Sequence, residues 1–136
     1  MEVTAMEKTL AVTLALLFTM VPLTFAQEEP VGNVTVGGEL ILRIRFSAGG
    51  MTPQQRADAI TQRLVKILQD PDIQPSDIVV KPIAGGEAAI YVKDNLLITV
   101  DKKHAALNKT TPLKLGEMWA KHLREVLPQV NVKPMR

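Results

Sequence analysis

The chain has 136 residues, 46% of them hydrophobic, with 16 Lys and Arg against 14 Asp and Glu and no cysteine. That length suits a single domain whose modest core is held by packing alone, and the absence of thiols excludes disulfides, thiolate metal sites and cysteine nucleophiles. A formal charge of +2 is too small to make the whole chain a polyelectrolyte, so any electrostatic role has to come from local clustering.

Leu10 to Val21 is an apolar run preceded by Lys8 and followed by Pro22 and the small-residue exit Thr24-Phe25-Ala26. A basic flank, a short apolar core and an alanine at the cut are what an export signal needs, and the run is short for a membrane span. Cleavage after Ala26 is expected, with Met6 an alternative initiator. The resulting organisation is 1–26 signal peptide, 27–32 flexible lead-in, 33–132 one α+β domain and 133–136 tail. An extracytoplasmic location, periplasmic or secreted, follows, with no transmembrane segment after cleavage.

In the domain, Asn33 to Val36 and Glu39 to Phe46 are β-rich runs joined by Gly37-Gly38, a pair suited to a tight hairpin turn. Period-2 alternation sets Leu40, Leu42, Ile44 and Phe46 on one face and Arg43 and Arg45 on the other, with Ile41 an exception on the polar face. Thr52-Pro53-Gln54-Gln55 is a helix start with a capping box, predicting a helix to about Gln69. Its stripe is Ile60, Leu64, Ile67 and Leu68, while Gln62, Arg63 and Lys66 face water. Ile78 to Ile83 is a short strand that Pro82 marks as an edge. Ala88 to Lys93 and Leu96 to Asp101 form a second hairpin, with Asp94-Asn95 as its connection, and the apolar content of this hairpin suggests a central place in the sheet. After a helical turn over Lys102 to Asn108, Thr111-Pro112 starts a second long helix that Pro128 ends near Leu127. Its buried stripe is Leu115, Trp119, Leu123 and Val126, and Gly116 permits close approach to another element. Val130 to Val132 is a candidate edge strand. The predicted fold is α+β, an antiparallel sheet of two hairpins plus a short strand packed by two amphipathic helices, in the order β-β-α-β-β-β-α.

Catalytic signatures are sparse. His104 and His122 lack metal-ligand spacing and read as surface residues. Ser47 and Ser76 lie in no nucleophile elbow, and the glycine pairs at 37-38, 49-50 and 85-86 suit turns better than phosphate binding. Asp94 and Asp101 stand at opposite ends of a strand, about 20 Å apart by its rise, which suits a turn and a cap rather than shared acid-base work. No catalytic, cofactor or metal residue is assigned, and no cofactor is expected. The three aromatics beyond the signal, Phe46, Tyr91 and Trp119, fall on apolar stripes or hairpins and are not interleaved with cations, which argues against nucleic acid. Charge is uneven, since Gln27 to Gly86 holds 6 basic and 7 acidic residues and Glu87 to Arg136 holds 9 and 5. Lys102, Lys103, Lys109, Lys114, Lys121 and Arg124 are therefore the candidates for contact with an anionic surface.

TPQQRADAITQRL (Thr52 to Leu64), LLITVDKKHA and LGEMWAKHLREVL, with the glycine-centred hairpin ahead of them, resemble the N-terminal extracytoplasmic domain of small-conductance-type mechanosensitive channel proteins. The likeness spans roughly Val34 to Leu127. It implies a free-standing sensory or interaction module without the channel region, with no catalytic residues to transfer and an envelope or membrane protein as partner. The expected function is thus an exported, non-enzymatic interaction or envelope-sensing domain. The alternative is a binding module for anionic membrane or envelope surfaces acting through the basic C-terminal half.

Overall fold

The computed structural model describes residues 30–130. The expected signal segment, residues 27–29 of the lead-in and residues 131–136 lie outside the described residues. The elements are β1 (Gly32–Val36), β2 (Glu39–Ile44), α1 (Pro53–Ile67), β3 (Ile78–Ile83), β4 (Glu87–Val92), β5 (Asn95–Val100), α2 (Lys102–Leu107) and α3 (Pro112–Val130), with 3-10 turns at Pro75–Asp77 and Ala84–Gly86. The class is α+β in the predicted order, and the strands divide between a two-stranded antiparallel sheet, β1-β2, and a three-stranded one, β3-β4-β5. Among the described residues no helix is long and apolar enough to cross a membrane.

Local chemistry accounts for most element starts. The Thr52 hydroxyl accepts from the Gln55 amide while the Gln55 side chain accepts from the Thr52 amide, closing the capping box that opens α1. Ile60, Leu64 and Ile67 are buried as the stripe predicts, and Leu68 caps the helix instead of extending it to Gln69. Helix α3 runs on through Pro128 to Val130, so Pro128 does not end it. The residue expected to begin an edge strand is therefore in the last helical turn. Leu115, Leu123 and Val126 are buried and Trp119 packs half-buried against the same core.

The two hairpins correct the strand faces and one turn. Both turns carry positive φ at two successive residues, Gly37 and Gly38 at 58° and 81°, and Lys93 and Asp94 at 46° and 66°. That is the twist a tight hairpin requires. The second connection is therefore Lys93-Asp94, one residue earlier than predicted. In β1-β2 the register passes from Val34↔Leu42 to Thr35↔Leu40, leaving Ile41 as a bulge. The extra residue shifts the alternation, so Ile41 and Leu42 are both buried and Leu40 is turned out. Ile41 is thus a core residue, not an exception on the polar face. In β4-β5 the register passes from Ile90↔Ile98 to Tyr91↔Leu96, and Leu97 and Ile98 are buried while Leu96 is exposed.

Strand β4 is central and β3 and β5 are edges. The Lys93 amide donates to the Asp77 carbonyl at 3.1 Å, so alternation along the antiparallel ladder turns the backbone groups of Ile78, Val80 and Pro82 toward the free side of β3. Arg124 covers the Ile78 carbonyl with its Nε and Nη2 at 3.2 and 2.9 Å, and Pro82 has no N–H to offer. The edge is blunted against strand addition. On the other edge, Arg63 Nη1 donates to the Leu97 carbonyl at 3.2 Å.

Candidate functional site

Strands β2 and β5 end at the same region of the molecule, where α1 and α2 contribute one buried polar cluster. Asp101 caps α2, accepting from the His104 amide at 2.8 Å. Its carboxylate also lies 2.8 and 2.9 Å from His104 Nδ1. Arg56 projects from the buried stripe of α1, donating from Nη2 to Asp101 Oδ2 at 3.0 Å and from Nη1 to the Phe46 carbonyl at 2.7 Å. His104 Nε2 accepts from the Arg45 backbone amide at 2.9 Å.

A backbone N–H can only donate, so Nε2 is the unprotonated nitrogen and the ring proton sits on Nδ1 against Asp101. Phe46 and Trp119 meet the imidazole edge-on, with centroids 4.9 and 6.2 Å away. Burial pushes the Asp101 carboxyl up, but hydrogen bonds from the His104 ring and amide and from Arg56 outweigh it and hold the carboxyl well below the usual carboxylate range. No buried side-chain nitrogen or oxygen among the described residues lacks a partner. The cluster braces the ends of both hairpins against the helices, and the nitrogen that a general base would present is already occupied by Arg45.

His104 is 2% exposed and Arg56 7%, which overturns the surface placement of His104; His122 is half-buried near Glu39. Two local signals pointed to the cluster. Arg56 falls four residues before Ile60, on the apolar stripe, where an unpaired charge is not tolerated. Asp101 and His104 stand three apart at a helix start, where an N-cap carboxylate faces the side chain of the first turn.

Above the cluster is a cleft of about 440 Å³ lined by Phe46, Ser47, Ala48, Gly85, Glu87, Asp101, Lys102 and Lys103. Of the six basic residues singled out from the sequence, Lys102 and Lys103 line it. Lys109 follows α2 with φ at 54°, and Lys114 and Lys121 are exposed on α3. Arg124 is withdrawn from any open basic face, because its guanidinium is engaged with Ile78 and, through Nη1 at 3.4 Å, with Glu117. The structure therefore brings Lys102 and Lys103 together at the cleft and engages Arg124 elsewhere. Among the described residues no group of acidic, histidine or cysteine side chains is arranged to hold a metal ion.

A two-sheet α+β domain with a braced cleft at the hairpin ends defines an architectural class without an assigned chemistry. Residues 33–130 match the family described as a domain of unknown function, DUF8459, and the chain belongs to that family. Comparison with curated proteins and with solved structures returns no match.

Proposed function

We propose that the chain is an exported, non-enzymatic interaction domain that receives an anionic group of an envelope protein in the cleft between Phe46–Ala48, Gly85–Glu87 and Asp101–Lys103. The observation carrying this reading is the state of Lys102 and Lys103. Both are exposed at the rim, and neither has a hydrogen-bond or ion-pair partner among the described residues. The Asp101 carboxylate beside them is already matched by Arg56 and His104 and does not neutralise them. Glu87 lines the same cleft, and a carboxylate set among the lysines suits a single acidic group better than a polyanion. The likeness to extracytoplasmic channel domains implies the same kind of role. The family supplies no activity, so the proposal stands on the cleft.

The alternative, adhesion to an anionic membrane or envelope surface through the basic half, is less favoured. On the exposed side of α3, Lys114 and Lys121 share their face with Glu117 and Glu125, and alternating charge of that kind marks a solvated helix. A glutamate-rich peptide and phosphatidylglycerol vesicles, each titrated into the ¹⁵N-labelled chain, separate the two. The cleft reading expects salt-sensitive shifts at Phe46, Ser47, Lys102 and Lys103 with the peptide, lost in the Lys102→Ala/Lys103→Ala variant and kept in Lys114→Ala/Lys121→Ala. The reverse pattern, seen with vesicles, establishes the alternative. Export is checked by intact mass, which should place the mature N-terminus at Gln27.

A further inference from the structure

We propose that His104 is an acid-sensitive latch on one wall of the cleft: protonation of Nε2 releases the Arg45 amide and the Phe46–Ala48 segment behind it, while the imidazolium stays with Asp101. This rests on the cleft reading and adds its regulation.

From α2, its own element, the His104 ring faces the Asp101 carboxylate. From α1, Arg56 donates to Oδ2 of the same carboxylate. The end of β2 presents the Arg45 amide and the Phe46 ring, and α3 presents Trp119. The side chain of Arg45 is exposed, as are Lys102 and Lys103. The imidazole is thus held at Nδ1 by an acceptor that welcomes added positive charge, and at Nε2 by a donor that does not.

Adding a proton to Nε2 sets two N–H groups against each other across a 2.9 Å contact, a geometry that no hydrogen bond sustains. The same proton strengthens the charge-assisted contact with Asp101. One side of the ring tightens and the other lets go, so the segment that yields is the one beyond β2. Phe46, Ser47 and Ala48 line the cleft together with Lys102 and Lys103. Arg56 still holds the Phe46 carbonyl through Nη1 at 2.7 Å, which keeps the released wall tethered. The opening is local.

The test follows the labelled full chain by NMR between about pH 8 and pH 5, the range in which imidazoles change charge. The His104 ring nitrogens report protonation of Nε2 directly. In step with it, protection of the Arg45 amide against hydrogen exchange should fall about tenfold or more after correction for intrinsic rates, while the amides of β4 keep theirs. His104→Gln carries a donor NH2 and an acceptor carbonyl and does not titrate, so its Arg45 protection should be flat across the range. Protection of Arg45 that persists while Nε2 protonates, an Nε2 that stays unprotonated throughout, or an unchanged pH profile in His104→Gln would each overturn the latch. The nitrogen shifts of the unaltered chain decide the matter even if that variant fails to fold. The two readings fail separately: unaltered peptide binding in Lys102→Ala/Lys103→Ala removes the cleft site, whereas the Arg45 exchange profile of the same variant tests the latch on its own.

Discussion

The hairpin β1-β2 and the hairpin β4-β5 are the same device used twice. Gly32↔Ile44, Val34↔Leu42, Thr35↔Leu40 and Val36↔Glu39 in the first correspond to Ala88↔Val100, Ile90↔Ile98, Tyr91↔Leu96 and Val92↔Asn95 in the second. Turn and bulge coincide, as does the burial pattern of β2 and β5, and each hairpin is followed by a long helix that starts with Thr-Pro. The differences sit where each helix crosses its hairpin. In the first unit the glycine is on the strand, because a side chain at Gly32 would collide with the Pro53 carbonyl and Ala57. In the second the glycine is on the helix, because a Cβ at Gly116 would come within 2.9 Å of Val80 Cγ1, with Ala88 beyond it. Either arrangement achieves close approach; which partner is reduced to hydrogen is a local choice. The second unit also gains β3 and α2. Through α2 it supplies the histidine that ties the two strand ends together.

The comparison is tested most severely at the strand ends, where Arg45 and Asp101 occupy equivalent places. Asp101→Ala strands a guanidinium and an imidazole in the interior and should cost about 3–5 kcal/mol in urea unfolding. Arg45→Ala should stay within about 0.5 kcal/mol, since its backbone amide makes the contact and its side chain is exposed. Comparable losses at the two positions would show that the ends are not braced as described. The pH dependence of stability follows from the depressed Asp101 carboxyl. Its contribution is complete above the unfolded carboxyl's value of about 3.9 and is lost as pH falls below it toward the folded value. Asp101→Ala should flatten that acid limb.

Ile41→Ala and Leu97→Ala remove equivalent core side chains and should each cost about 2–5 kcal/mol, whereas Leu40→Ala and Leu96→Ala, at 38% and 37% exposed, should cost clearly less. A large loss at Leu40 and a small one at Ile41 would mean an unbroken alternation in β2. At the helix crossings, Gly32→Ala meets backbone and should cost about 1–3 kcal/mol. Gly116→Ala meets a valine methyl and recovers about 1 kcal/mol of helix propensity, so its loss should be smaller. Smallest of all, Asp94→Gly should change stability by less than about 1 kcal/mol, with relief of a left-handed residue set against chain entropy. Gly37→Ala should be destabilising, because a Cβ there would meet Val130 Cγ2 at 2.9 Å.

By itself the sequence determined what depends on neighbours along the chain. The class, the element order, the Gly37-Gly38 turn, the Thr52 and Thr111 helix starts and the stripe of α1 were legible because capping, φ preference and hydrophobic period act over a few residues. Tertiary structure decided what depends on the partner. Whether Ile41 faces in or out turns on a bulge in strand pairing, which alternation in a single strand does not encode. Lys93-Asp94 became the turn because the register of β4 with β5 placed it there. His104 read as a surface residue because the donor that satisfies its Nε2, the Arg45 amide, is remote in sequence, and the groups that allow Arg56 to be buried, Asp101 and the Phe46 carbonyl, come from other elements. Arg124, counted among surface cations, was claimed by the free carbonyl of a strand 46 residues away. Polar groups bury only where distant partners satisfy them, and that match is made by the fold.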